Sequence, residues 1–361
     1  MDKGDDTDQN QRSQGAPPTA RQQLRQVNNP PNPWISTVVE HLGPPPEASL
    51  EVFFDASRQA LSKNDSPDLG FSWSINPYRG CYHGCAYCYA RPTHEYLDFG
   101  AGTDFERKLV VKPDVARLLR DAFEHPRWKG ELVLMSGNTD CYQPLEASWR
   151  LTRQCLQVCA EYRNPVGIIT KSTLIERDLE LLAELSETSN LRVTISLPFA
   201  DAEVARAIEP YAPSPARRLK TIERLASAGI RVGVNVAPII PGLNDEALPA
   251  VLEAARQAGA RHASFILLRL PGPVKEVFEQ RLRLMLPLRA DKVMNQIREA
   301  RDGKLYDGRF GERMRGHGPR WRMIEDLFKR LSERLGYEPV GPEPATTFRR
   351  PERPKAQLQL L

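Results

Sequence analysis

Short β-branched and aliphatic runs alternate with amphipathic stretches through the middle of this chain, and that alternation leaves few architectures open. Six runs qualify as strands: Phe71 to Asn76, Glu131 to Ser136, Val166 to Thr170, Leu191 to Leu197, Arg231 to Ala237 and Ala263 to Leu268. The intervening stretches carry helical periodicity. Val115, Leu118, Leu119 and Phe123 share one helical face. Ser214 as N-cap and Pro215 in the first turn open a helix bearing Leu219, Ile222 and Leu225, closed by Gly229. Asp245 is placed to cap another, with Leu248, Val251, Leu252 and Ala255, ended by Gly259. The expected fold is α/β: a partial (β/α)6 TIM-like barrel, open on one side, with its site at the carboxyl ends of the strands.

The flanks read differently. The opening residues are rich in Gln, Asn, Asp and Pro, and runs such as Asn29-Pro30-Pro31-Asn32-Pro33 hold neither helix nor sheet. Residues 1–48 are therefore expected to be a mostly disordered segment, and 339–361, with Arg350-Pro351-Glu352-Arg353-Pro354, a flexible tail. Between them the expected units are the partial barrel over 49–285 and a helical, basic C-terminal extension over 286–338. A composition of 40% hydrophobic and 27% charged residues is that of a soluble globular chain. No apolar run approaches the roughly 20 residues of a bilayer span. Met1 to Gln14 is polar and acidic, with no visible secretory or transit signal, so no membrane and a cytoplasmic location are expected. A net charge of +4 is too mild to demand a nucleic-acid partner but is compatible with an anionic substrate.

Six cysteines are present, and three of them fall within eight positions, which is not the pattern of a secreted disulfide framework. Cys81, Cys85 and Cys88 stand at C-x3-C-x2-C in a loop, 76–90, that directly follows the first expected strand. Three thiolates can hold three irons of a cubane 4Fe-4S cluster and leave the fourth iron without a protein ligand. An open iron can chelate the amino and carboxylate groups of S-adenosylmethionine, so that one electron cleaves the sulfonium to a 5'-deoxyadenosyl radical. Gly80 and Gly84 let the loop wrap tightly. Two other readings stay open. With His83 or His94 the cysteines make a Cys3His structural zinc site in a nucleic-acid-binding module without catalysis; or a cluster serves redox sensing or electron transfer. Cys155 and Cys159, at i and i+4 on a helix with Trp149 and Leu156, read as core packing.

From about Ser72 to about Leu270 the chain resembles the radical S-adenosylmethionine (radical SAM) superfamily, and within it the branch related to spore photoproduct lyase, a DNA-repair enzyme that reverses a thymine dimer. The resemblance rests on the cysteine loop with its Cys85-Ala86-Tyr87-Cys88-Tyr89 end, Asn138-Thr139-Asp140, Thr170-Lys171, Ser196, Glu209-Pro210, Ser214-Pro215 with Arg217 or Arg218, and Val236-Ala237-Pro238-Ile239. It implies a radical SAM enzyme of lyase or transferase type, with a 4Fe-4S cluster and S-adenosyl-L-methionine as cofactors. It also implies a low-potential electron donor, flavodoxin or ferredoxin, and a nucleic acid or nucleotide substrate.

Each element has a physical task. Ser136, Asn138, Thr139 and Asp140 can accept from the methionyl ammonium, or form an ordinary strand-to-helix turn capped by Asp140. Lys171 can neutralise the methionyl carboxylate or be a solvated strand end. Ser196 can bond a ribose hydroxyl, and Tyr87 stands at the aromatic position that the resemblance puts by the adenine. Glu209 and Arg217 can grip ribose and carboxylate, or pair with one another; Ala237 opens a run whose carbonyls can meet the adenine. The position three before Asp140, a hydrogen-donating cysteine in the lyase, is Gly137 here, which leaves Cys141, with Tyr89 behind it, as the candidate radical relay. Arg309, Arg313, Arg315, Arg320 and Arg322, interleaved with glycines, His317 and Trp321, can grip phosphates and stack on a base, or be a solvated loop before an amphipathic helix.

Overall fold

A computed structural model describes residues 49–339 and 345–352. Ten strands run in chain order: β1 Glu51–Phe54, β2 Leu61–Lys63, β3 Trp73–Ile75, β4 Tyr78–Arg79, β5 Lys108–Val111, β6 Val133–Met135, β7 Val166–Thr170, β8 Leu191–Ser196, β9 Val232–Ile239 and β10 His262–Leu267. The helices are α1 Thr103–Arg107, α2 Val115–Glu124, α3 Glu146–Trp149, α4 Leu151–Glu161, α5 Leu179–Thr188, α6 Ala202–Ile208, α7 Pro215–Ser227, α8 Leu248–Gln257, α9 Val274–Met285, α10 Pro287–Glu299 and α11 Gly318–Arg334. None is long and apolar enough to cross a membrane.

The six expected strands are β3, β6, β7, β8, β9 and β10, and they pair in parallel in that order. Parallel neighbours joined by crossover helices put every strand's carboxyl end at the same edge. β2 adds an antiparallel edge beside β3 that the sequence reading did not foresee. A second sheet, β1-β5-β4, was also unforeseen; β5 runs parallel to β1 and antiparallel to β4, which lies just ahead of Cys81. The main core lies between the parallel sheet and its helices, with Val115, Leu119 and Phe123 of α2 turned inward. Ser214 caps α7 as expected, accepting from the Arg217 amide at 3.4 Å.

Several boundaries are corrected. Asp245 does not cap α8. It lies in a 3-10 turn, accepts the Gly242 amide at 2.8 Å, and pairs with Arg320 on α11. Trp149 and Leu156 are on separate helices, because Arg150 between α3 and α4 takes a left-handed conformation. Within 286–338, Ala290, Val293, Met294 and Ile297 of α10 share an apolar cluster with Cys85, Ala86 and Tyr87 of the loop. Trp321 of α11, 1% exposed, sits in the main core against Phe265 of β10, whose ring is also 4.3 Å from that of Phe328.

The expected segment 1–48 lies outside the described residues, as do 340–344 and 353–361. Residues 345–352 dock rather than hang free. Thr346 and Thr347 donate to the Gly130 and Arg163 carbonyls, Arg350 donates to those of Phe123 and His125, and the Phe348 ring stacks on Tyr162. Gly130 makes room for this segment, since a Cβ there would lie 2.2 Å from that of Phe348.

Candidate active site

Contacts within the chain itself shape the loop after β3. Gly80 and Gly84 have φ of +73° and +65°, and a Cβ on Gly80 would strike His94, Leu109 and the Phe105 carbonyl within 2.9 Å. Arg91, wholly buried, donates to the carbonyls of Gly84, Cys85, Ala101 and Gly102 and to the Glu106 carboxylate. From the other side Gln143 accepts the Tyr82 amide and donates to the Gly80 carbonyl. Neither Arg91 nor Gln143 was singled out from sequence.

All three loop cysteines are free; Cys81 and Cys85 are buried and Cys88 is half-buried. Burial pushes the Cys85 thiol up to about 12 against the pull of Lys171, and lifts those of Cys81 and Cys88. Buried thiols of this kind stay protonated unless a cationic centre binds them, and an iron-sulfur core supplies that charge. The two histidines of the zinc alternative each meet the protein through one ring nitrogen. His94 Nε2 bonds the Lys108 carbonyl at 2.8 Å, and His83 Nδ1 faces Asp140 Oδ2 at 3.4 Å. Among the described residues no three His, Cys, Asp or Glu side chains converge on a single-ion site. A cubane spreads its ligating sulfurs more widely than one ion does, so the donor set fits three irons of a cluster.

Beside the loop, at the strands' carboxyl ends, lies a charged cluster. Tyr87, buried, donates its hydroxyl to Glu209, which also pairs with Arg218. Burial opposes ionisation of Glu209, yet Arg218 and Lys171 outweigh it and hold its carboxyl below the ordinary range. Arg218 further donates to the Ser196 and Pro213 carbonyls. It is therefore Arg218, not Arg217, that joins this cluster; Arg217 lies on the exposed face of α7. Lys171, half-buried, has its ammonium 5.7 Å from the Tyr87 ring centre, near Cys85 and Glu209.

The segment after β6 is largely self-engaged. Ser136 Oγ accepts the Cys141 amide, the Asn138 amide donates to Asn76, and Thr139 donates to the Tyr78 carbonyl. Asp140 accepts from Tyr142, Thr170 and the Lys171 amide; burial alone would raise its carboxyl, but His83 and these donors hold it at about 2. After Ala237 the Pro238 carbonyl accepts from Asn244 and that of Ile239 from Leu268.

The two relay candidates are not brought together. Tyr89, 43% exposed, donates to the Gly137 carbonyl at 2.6 Å and has the Arg269 guanidinium 5.1 Å from its ring centre. Cys141 is sealed in the main core with Tyr78, Glu146 and Cys155 in reach, and burial lifts its thiol well above the usual value. Cys155 and Cys159 are buried in that same core. Gly137 abuts Ser74, 2.9 Å from where a Cβ would stand.

The basic stretch is mostly neutralised. Arg309 pairs with Asp307, Arg313 with Asp68 and Arg320 with Asp245, while Arg301 gathers the Glu312, Arg313 and Arg315 carbonyls. With Trp321 buried, the expected stacking aromatic is absent from the surface.

Residues 75–255 match the family model described as the Radical SAM superfamily. An uncharacterized protein of Mycobacterium tuberculosis is 40% identical over 224 residues, which is 61% of this chain and 66% of that protein. The chain thus spans just under two thirds of that relative's length. One from Methanocaldococcus jannaschii is 31% identical over 198 residues, covering 55% of this chain and 71% of the relative. Among solved structures, spore photoproduct lyase complexed with dinucleoside spore photoproduct superposes with a TM-score of 0.58 at 19% identity, over 82% of this chain and 85% of that one. A mutant of that lyase with bound AdoMet and dinucleoside spore photoproduct gives 0.56 at 19% identity, over 79% of each chain. At that identity the likeness is one of fold.

Proposed function

The chain belongs to the radical SAM superfamily, a family of enzymes that use a 4Fe-4S cluster and S-adenosylmethionine, and from that premise we propose that it cleaves S-adenosylmethionine reductively to start radical chemistry on a nucleotide-containing substrate. The observation that carries this reading is the loop of Cys81, Cys85 and Cys88 beside the Lys171 ammonium, which among the described residues has no carboxylate within ion-pair distance. When bound, the cluster supplies one electron to the sulfonium, whose C–S bond breaks to methionine and a 5'-deoxyadenosyl radical.

The chain's own residues divide the remaining work. Lys171 balances the methionyl carboxylate. Tyr87, fixed by Glu209, presents its ring beside the adenine, and Arg218 holds Glu209 and the end of β8 in place. Ser136, Asn138 and Thr139 shape the turn that faces the methionyl group; Ala237 stands near the carboxyl end of β9. Tyr89, beside Cys88 and partly exposed, is the side chain placed to exchange a hydrogen atom with substrate.

A nucleotide substrate is supported by the fold shared with spore photoproduct lyase, not by the basic C-terminal stretch. The lyase's own reaction is not carried over, because Gly137 has no hydrogen to donate from a side chain. Flavodoxin or ferredoxin is the class of reductant this chemistry needs. Anaerobic reconstitution tests the reading: about four irons and four sulfides per chain are expected, with 5'-deoxyadenosine after dithionite reduction. Stoichiometric zinc, or a cluster with no cleavage, overturns it.

A further inference from the structure

We propose that the outer face of the cysteine loop, built from Tyr82, Arg107 and Tyr211, docks an acidic one-electron carrier protein. The proposal rests on the cluster reading above and adds the place where its electron enters.

Tyr82 follows Cys81 directly. The Arg107 guanidinium, at the end of α1, lies 4.7 Å from the Tyr82 ring centre and 4.5 Å from that of Tyr211, and the two rings are 5.3 Å apart. All three side chains are half-buried, and among the described residues no carboxylate lies within ion-pair distance of Arg107. Beneath them Glu106 is already taken by Arg91 at 2.5 Å. Arg281 of α9, 2% exposed, reaches the same place with its Nε and Nη1 atoms unbonded. Arg91 and Arg281 thus lie buried around Glu106 beneath the patch, and Arg107 is the cation that the patch itself presents. The flanking cations are neutralised: Lys108 pairs with Asp104 and Arg79 with Asp55.

Tyrosine and arginine dominate the energetics of protein interfaces, and unbalanced charge selects a partner of opposite sign. What makes that partner an electron carrier is the layer below. The Tyr211 amide donates to the His83 carbonyl at 3.2 Å, and Gly84 lies against Tyr211 so closely that a Cβ would be 3.0 Å from the ring. The backbone between Cys81 and Cys85 is therefore directly under the patch. A docked carrier gives up one electron and is oxidised by one; the group held by the cysteines takes it up and is reduced by one. No bond or proton changes hands.

The test uses the anaerobically reconstituted full chain and follows bleaching of the cluster on mixing with reduced flavodoxin. Arg107→Glu is expected to slow reduction about tenfold or more at low salt, with the gap closing as ionic strength rises. Arg107→Lys retains most of the rate, and Arg330→Glu, an exposed change on α11, leaves it unaltered. Iron content, and reduction by photoreduced deazaflavin, which needs no docking surface, stay at the level of the parent chain. Equal flavodoxin rates in Arg107→Glu overturn the proposal, as does an equal loss with deazaflavin, which would mean a damaged loop. A loss of oligonucleotide binding with unchanged flavodoxin kinetics would reassign the patch to a phosphate-bearing ligand. Absence of iron from the parent chain itself would instead refute the cluster reading, and the docking proposal with it.

Discussion

The ammonium of Lys171 stands over the face of Tyr87, 5.7 Å from the ring centre, while the hydroxyl of that same ring is spoken for by Glu209. With Glu209 close by but no carboxylate in ion-pair contact, the ammonium keeps its hydrogen-bond donors for an incoming anion. Lys171→Gln is expected to weaken S-adenosylmethionine binding about tenfold to a hundredfold, the size of one charge-assisted hydrogen bond of roughly 1.5–3 kcal/mol, with iron content unchanged. Equilibrium dialysis of the reconstituted protein measures this, and an unaltered affinity would remove Lys171 from the site.

Glu209 and Arg218 are both almost fully buried, and each is the other's counter-charge. Arg218→Met strands a carboxylate in the interior and is expected to cost about 3–5 kcal/mol in urea unfolding. Combining it with Glu209→Gln should restore a substantial part of that loss. Two additive losses would show that the pair is not coupled.

His94 is buried against Phe99 and Phe105, and burial drops its imidazole to about 4 from an ordinary 6.5. The folded chain therefore binds fewer protons than the unfolded one between those values, and stability is full above pH 6.5 and falls as pH drops toward 4. The group's share is about 3 kcal/mol by linkage. Unfolding of His94→Phe across this window is expected to show a shallower acid slope; an identical slope would contradict the assignment.

Gly137→Cys restores the residue found in the lyase branch, but its Cβ would press on Ser74 at 2.9 Å. Overpacking of about 1–3 kcal/mol is expected, without any gain of dinucleoside photoproduct repair. Repair activity in this variant would mean that the glycine is a recent loss rather than a different chemistry.

Cys85→Ala should abolish cluster uptake and deoxyadenosine formation, whereas Cys155→Ala should leave both and cost only on the order of 1 kcal/mol of packing. Iron assay and thermal unfolding of the two variants side by side separate ligand from core.

Most of the parallel strands were legible because they are β-branched or aliphatic runs bounded by turn residues, and the cysteine loop because its spacing is chemically specific. Other signals were present but unread. Arg218 stands at helical spacing from Thr221, Ile222 and Leu225, the buried stripe of α7, so periodicity alone separates it from Arg217. Trp321 is likewise in step with Ile324, Phe328 and Leu331 of α11, which is why it became core rather than a stacking platform. β1, β4 and β5 span two to four residues each, too few for an alternation to emerge. Residues 345–352 leave almost no pattern, since their threonines and Arg350 dock onto main-chain carbonyls that only the folded chain brings within reach.

Arg91 ties four carbonyls and a carboxylate into one knot behind the cysteines. Chain segments that receive metal usually have to be immobilised by it, and the ordering cost is subtracted from affinity. Here Arg91 bears part of that cost through its own bonds, so the loop does not owe its shape to the inorganic core alone. Taking that guanidinium away, as in Arg91→Ala, should leave the reconstituted loop easier to nick with protease and quicker to give up its iron than the parent chain.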